Sequence, residues 1–100
     1  MTARAALLTA LIPGKGYGLE LIDRVSDRSK GQIQLNQGSI YPALKSLEKE
    51  GLLKSWEADP TPERGGRPRR YYELTADGLR AAREQSQGML GFLRFALEGA

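Results

Sequence analysis

Apolar residues recur at helical spacing through most of the first half of this chain, and longer alternating runs appear after residue 50. In "ARAALLTALIPG", Leu7, Leu8, Leu11 and Ile12 share one side of a helix that Pro13 and Gly14 bring to an end. In "GKGYGLELIDRVSDRSKG", Leu19, Ile22 and Val25 recur three apart with Leu21 beside them, leaving Glu20, Asp23, Arg24 and Asp27 for water. This predicts a second helix from about Tyr17 to Arg28, closed by Gly31. "QIQL" alternates polar and apolar residues and predicts a short extended piece. Asn36 is a good N-cap for a third helix, "QGSIYPALKSLEKEG", with Ile40, Leu44 and Leu47 as its buried stripe, Ala43 beside them and Gly51 as its stop. Pro42 lies inside that helix. The carbonyl it crowds belongs to Gly38, in the first turn, where distortion costs least.

Beyond Gly51 the period changes. "LLKSWEAD" is expected to place Leu52, Trp56 and Ala58 on one side of a strand, and "RRYYELT" to place Tyr72 and Leu74 together on one side of a second. The stretch between them, "PTPERGGRP", has the proline and glycine punctuation of a long hairpin loop. Thr75 caps a last helix in which Leu79, Ala82, Ser86, Met89, Leu93 and Ala96 form a seam like the a and d positions of a coiled coil. Its second half adds Leu90, Phe92, Phe95 and Leu97 and is apolar nearly all round. Such a helix either folds back on its own core or packs on another chain. So short a preceding domain offers little surface to cover it, which favours a homodimer. The expected interface comprises Leu79, Ala82, Met89, Leu90, Phe92, Leu93, Phe95 and Ala96.

Composition narrows the function. One hundred residues make one small domain, which buries only about two-thirds of its unfolded surface and gains from a partner chain. With no cysteine and no histidine, disulfides, thiolate or histidine-assisted nucleophiles and the usual zinc sites are excluded. The carboxylates sit among lysines and arginines, as in "KSLEKEG", and read as a solvated face. No glycine-rich phosphate loop occurs. No enzyme, cofactor or metal is therefore expected. The longest apolar run, "AALLTALI", is too short to span a bilayer, and no cleavage site follows it, so a cytoplasmic protein without membrane contact is expected.

Net charge is +3, and its placement matters more than its size. Segment 60–75 carries Arg64, Arg67, Arg69 and Arg70 against Glu63 and Glu73, whereas arginines and acids balance over 76–100. A basic loop implies a polyanionic partner. Three helices, then a two-stranded hairpin with a long basic loop, make the winged helix-turn-helix arrangement, mainly α within the α+β class. Residues 1–75 would form this domain and 76–100 the C-terminal dimerisation helix. In this architecture the third helix enters the major groove of DNA and the hairpin loop, or wing, reaches flanking backbone or minor groove.

At this point three stretches, "GKGYGLELIDRV", "LNQGSIYPALKSLEKEGLL" and "GGRPRRYYELTADG", taken together, resemble the PadR family of bacterial transcriptional regulators over about Leu7 to Gly78. The resemblance implies a homodimer that binds double-stranded operator DNA, mostly as a repressor, often relieved by a small-molecule effector or a stress signal. By matching positions, it implies that Tyr17 bonds a phosphate, although a half-buried packing role stays open for it. Asn36, Gln37 and Ser39 match the start of the recognition helix, with capping the other role open to Asn36. Tyr41 matches the tyrosine of a "YxAL" pattern and faces the groove, with Lys45 a phosphate contact further along. Arg64, Arg67 and Arg69 belong to the wing. Lys15 stands where many relatives have histidine, and the N-terminus is short, lacking much of the segment that usually packs on the partner's last helix. An effector pocket would lie at the dimer interface or beside Trp56, where a packing role is the alternative. The other function class left open is a winged-helix module that binds protein and never touches DNA; the wing's arginines argue against it.

Overall fold

The helices begin and end where local chemistry closes them. In the computed structural model, which describes residues 2–58 and 69–85, α1 spans Ala3–Ala10 and is capped by Thr2, whose hydroxyl accepts from the Ala5 amide. Helix α2 spans Gly18–Arg28. At its end the Gly31 amide reaches back to the Ser26 carbonyl and Lys30 to Asp27, a Schellman closure. The left-handed residues there are Lys30 and Gly31 together, with φ of 55° and 78°, so the expected glycine stop starts one residue early. Helix α3 spans Gln37–Lys49 and opens on a reciprocal capping box between Asn36 and Ser39. Pro42 sits within it. The segment "QIQL" forms no strand; Ile33 and Leu35 instead pack, partly buried, beside Ala6, Ala10 and Val25.

Three strands complete the domain: β1 (Gly16–Tyr17), β2 (Leu53–Glu57) and β3 (Arg70–Leu74), in the order β1-β3-β2. All pairs are antiparallel, with Gly16 opposite Tyr72, Tyr17 opposite Tyr71, and Trp56 opposite Tyr71 on the other side. The short β1 strand was not expected, since two residues show no alternation to read. Three helices and a small antiparallel sheet of this connectivity are a winged helix-turn-helix, as the pattern implied, and a further helix begins at residue 76 and runs through the last described residue, 85.

The core is aliphatic. Leu7, Leu11, Leu21, Ile40, Leu44 and Leu47 are fully enclosed, and Leu53 and Tyr72 join them from the sheet. Each aliphatic side chain so buried contributes about 1.5–3 kcal/mol. The stripe of α2 differs from the expected one. Leu21 and Val25, one turn apart, are buried, Ile22 is half-buried and Leu19 is exposed. Ile12, expected on the inner side of α1, is exposed as well, because α1 ends at Ala10 and the chain turns away.

The phase of β2 is also shifted by one residue. Leu53 points into the core, and Leu52 precedes the strand. The cause is the end of α3: the Gly51 amide bonds the Glu48 carbonyl and the Leu52 amide bonds Leu47, with Gly51 at φ 81°. Leu52 is thus spent on closing the helix. Trp56 consequently lies on the face opposite Leu53 and shares that face with Tyr71 and Tyr17. Tyr72 and Leu74 lie together on the core side as expected. The Ser55 hydroxyl donates to Glu48, joining that side of the sheet to α3.

Thr75 caps the last helix as expected. Its hydroxyl accepts from the Gly78 amide at 3.0 Å and donates to the Gly51 carbonyl at 2.7 Å. Ala82 is fully buried within the chain's own core, and the Gln85 amide donates to the Ala5 carbonyl and the Thr9 hydroxyl on α1. Leu79 is half-buried. Met89, Leu90, Phe92, Leu93, Phe95 and Ala96 lie outside the described residues.

Two outcomes follow from this packing. A Cβ at Gly78 would collide with the main-chain carbonyl oxygen of Leu52, which cannot yield. Gly78→Ala should therefore cost about 2–3 kcal/mol in urea unfolding. Burial raises the Tyr72 hydroxyl above its ordinary pKa of 10.0, opposed by Arg70 and assisted by Glu48 and Tyr41. Above pH 10 the unfolded chain thus loses a proton that the folded chain keeps, so stability falls as pH rises through that window. Tyr72→Phe should reduce the loss of urea midpoint between about pH 9 and about pH 11.

Candidate nucleic-acid interface

Helix α3 divides cleanly into an inner and an outer side. Ile40, Leu44 and Leu47 face the core, so Gln37, Tyr41 and Lys45, each four residues on, share the exposed side. Asn36 and Ser39 sit at its start with their side chains committed to each other. Asn36 Oδ1 accepts from the Ser39 amide at 3.0 Å, and Ser39 Oγ accepts from the Asn36 amide at 3.1 Å. Both therefore cap, and the Asn36 side-chain nitrogen, Nδ2, takes no part in that cap.

Tyr41 lies across the first residue of α2. A Cβ at Gly18 would come within 2.5 Å of the Tyr41 hydroxyl oxygen and 2.8 Å of its ring, so only glycine admits the tyrosine at this distance. Immediately before it, Tyr17 is the N-cap residue of α2 but makes no side-chain cap. Its ring is engaged elsewhere: the Arg69 guanidinium stacks on one face at 4.2 Å, and Tyr71 meets it edge-on at 5.8 Å. Tyr17, Gly18, Leu19, Asp23, Tyr41, Arg69 and Arg70 enclose a cleft of about 460 Å³ between α2, α3 and the base of the hairpin. Two guanidinium groups face one carboxylate there, and Arg70 also pairs with Glu57 at 3.6 Å. Two phenols and two arginines around one concavity suit a phosphate diester, because phenolic and guanidinium N–H and O–H groups donate to its oxygens.

The structure thus brings Tyr17, Tyr41 and Arg69 to one cleft and leaves Gln37 and Lys45 on the adjoining exposed side of α3. Arg64 and Arg67 lie outside the described residues. Arg70, Gly18 and Asp23 line the cleft without having been singled out. From sequence Arg70 adds to the basic charge of segment 60–75 without a contact of its own, and in the fold it lines the cleft beside α2. Trp56 lies apart from the cleft, stacked on Tyr71 at 6.1 Å, with Lys15 Nζ 5.9 Å from its ring and 5.5 Å from that of Tyr71. A second, apolar cleft of about 270 Å³ lies between α1 and α2, lined by Ala6, Thr9, Ala10, Val25, Arg28, Ser29 and Ile33. Among the described residues no group of His, Cys, Asp and Glu could hold a metal, and no helix is long and apolar enough to cross a membrane.

Residues 7–84 match the model of the transcriptional regulator PadR-like family. The chain belongs to that family. Among curated proteins it is similar to an uncharacterized protein of Lysinibacillus sphaericus, 26% identical over 72 residues, which make up 72% of this chain. The match spans 63% of that relative's length. Among solved structures, a PadR family transcriptional regulator from Eggerthella lenta is 28% identical with a TM-score of 0.70, covering 96% of this chain and 82% of that one. A Streptococcus transcriptional regulator is 26% identical, TM-score 0.72, over 96% and 88%. A PadR family regulator from Clostridium difficile, at 24% identity and a TM-score of 0.73 over 95% and 96%, shares the fold. In this PadR-like chain the "GYG" tripeptide now has a physical account: Gly16 pairs with Tyr72, Tyr17 carries the arginine, and Gly18 admits Tyr41.

The glycine contact can be tested directly. The atoms that a Gly18 methyl would meet are the far end of a flexible side chain, so Gly18→Ala should swing Tyr41 aside while changing stability by less than about 1 kcal/mol. Its ring resonances should shift, and the same substitution should be silent in a Tyr41→Ala background.

Proposed function

We propose that this chain is a sequence-specific DNA-binding transcriptional regulator, acting as a cytoplasmic homodimeric repressor on a pseudo-palindromic operator. The observation that carries the reading is the convergence of Tyr17, Tyr41 and Arg69 around one cleft beside the exposed side of α3. Phosphate seated in that cleft would set the height and tilt of α3 in the major groove. Gln37 and Asn36 Nδ2 would then reach base edges, and Lys45 the flanking backbone. Arg64 and Arg67, which the sequence assigns to the wing, would add contacts to flanking backbone or minor groove.

Dimerisation through residues 76–100, as a unit apart from 1–75, is part of the same proposal. Its support is the apolar sequence of the last helix together with the apolar cleft on α1. Ala82 is already enclosed by its own chain, so Leu79, Met89, Leu90, Phe92, Leu93, Phe95 and Ala96 would carry the contact. Two such subunits would place their α3 helices in successive major grooves, roughly 34 Å apart. Relief of repression by a small effector, seated at the dimer interface or beside Trp56, completes the reading.

A gel-shift titration tests it. The duplex upstream of the chain's own gene should be bound in preference to a random duplex at moderate salt; equal affinity for both would overturn sequence-specific recognition. Arg69→Gln should weaken binding to every sequence and reduce the slope of log affinity against log salt by about one. Gln37→Ala should instead relax preference among sequences and leave random-duplex affinity nearly unchanged. Absence of salt-dependent binding to any duplex would favour the protein-binding alternative.

A further inference from the structure

Arg24 has no place in the interface as described, yet its side chain is more heavily engaged than any other cation among the described residues. It stands on α2 with only 20% of the side chain exposed. One terminal nitrogen donates to the carbonyls of Ala10 and Gly14, each at 3.0 Å. The other donates to the Lys15 carbonyl at 3.1 Å and to the Glu20 carboxylate at 3.2 Å. Two acceptors at each terminal nitrogen account for all four terminal N–H groups, so the fork that pairs with phosphate elsewhere is fully spent here on the chain's own main chain and Glu20.

Those carbonyls bracket one segment. Ala10 ends α1, and Gly14 and Lys15 lead directly into β1. A Cβ at Gly16 would come within 3.0 Å of Arg24 Nη2 and 2.9 Å of Glu20 Oε1, so the guanidinium lies against β1 itself. Tyr17, the next residue, carries Arg69 on its ring. Lys15, the residue before, reaches over Tyr71 and Trp56. In the turn between α1 and β1 the main-chain bonds come from the Leu11, Ile12 and Gly14 amides, and neither Pro13 nor Gly14 offers a side-chain hydrogen-bonding group. Arg24 therefore supplies the anchor from beneath.

We propose that Arg24 is a positioning residue for DNA binding: without touching DNA, its guanidinium holds residues 14–17 in register so that Tyr17 meets the phosphate backbone beside Arg69. The proposal rests on the DNA-binding reading above. The fork is the essential feature. A lysine ammonium carries the same charge but cannot reach three divergent main-chain carbonyls at once.

The test uses the full-length chain and a random-sequence duplex, since a phosphate contact does not depend on sequence. Arg24→Lys should weaken binding about tenfold, the worth of one charge-assisted contact, with the salt slope unchanged because no phosphate partner is lost. In a Tyr17→Phe background the same substitution should weaken binding less than about threefold, since the contact it positions has already gone. Amide exchange over residues 14–17 should accelerate in Arg24→Lys while α3 stays protected. An equal loss in both backgrounds, or a slope reduced by about one, would overturn the proposal, as would unchanged exchange at 14–17. If the unmodified chain binds no duplex at all, the DNA-binding reading falls, and the exchange measurement still decides whether Arg24 holds this segment.

Discussion

Two residues of antiparallel pairing, Gly16 with Tyr72 and Tyr17 with Tyr71, join the helical part of the chain to its hairpin. Without that pairing the start of α2 and the base of the wing would be neighbours only through the core. With it, the two share a backbone ladder, and the side chains at its edge become one surface. Tyr17 lies under Arg69 because its Cα is set opposite Tyr71, two residues along the chain from the arginine. A ladder so short is weak on its own, since two-stranded pairs need packing to persist in water. Here the support comes from both faces. Arg24 and Leu21 back Gly16 from within, and the Tyr17, Tyr71 and Trp56 rings cover the outer side.

The aliphatic core performs the complementary task of fixing α3. Ile40, Leu44 and Leu47 are completely enclosed, so a rotation of the helix about its axis would expose all three together. Such a rotation forfeits several kcal/mol of burial, and the exposed row of Gln37, Tyr41 and Lys45 is held to one orientation by that cost. The C-terminal end is held as firmly. The closure through Gly51 and Leu52, the Thr75 hydroxyl on the Gly51 carbonyl, and the Ser55 link to Glu48 fasten the end of α3 to β2 and to the last helix.

Most of this fold was legible in the pattern of apolar residues, and the misreadings have local causes. Leu52 reads as a strand residue because it is apolar and adjacent to one; the helix closure claims it, and the phase of β2 moves by one residue. Leu19 sits at helical spacing from Ile22 yet is exposed, since the core side of α2 is centred on Leu21 and Val25, and periodicity alone does not distinguish neighbouring stripes on a short helix. The N-cap role of Asn36 is legible from its residue type, whereas the reciprocal bond with Ser39 emerges only in the structure. The cleft is not legible that way, because its residues come from three stretches far apart in the sequence.

What the sequence by itself determined is therefore the helices, the two hairpin strands and their order, but not β1: helical spacing, capping residues and glycine stops act over a few positions, and the energies that decide them are local. It also determined that the wing is basic and that α3 has one polar side. Only the tertiary structure decided that Arg70 lines the cleft beside α2, that Tyr41 rests on Gly18, and that Arg24 grips the turn before Tyr17. Those contacts join residues far apart in the chain, and they form only once burial of the leucine core has fixed where each backbone segment lies.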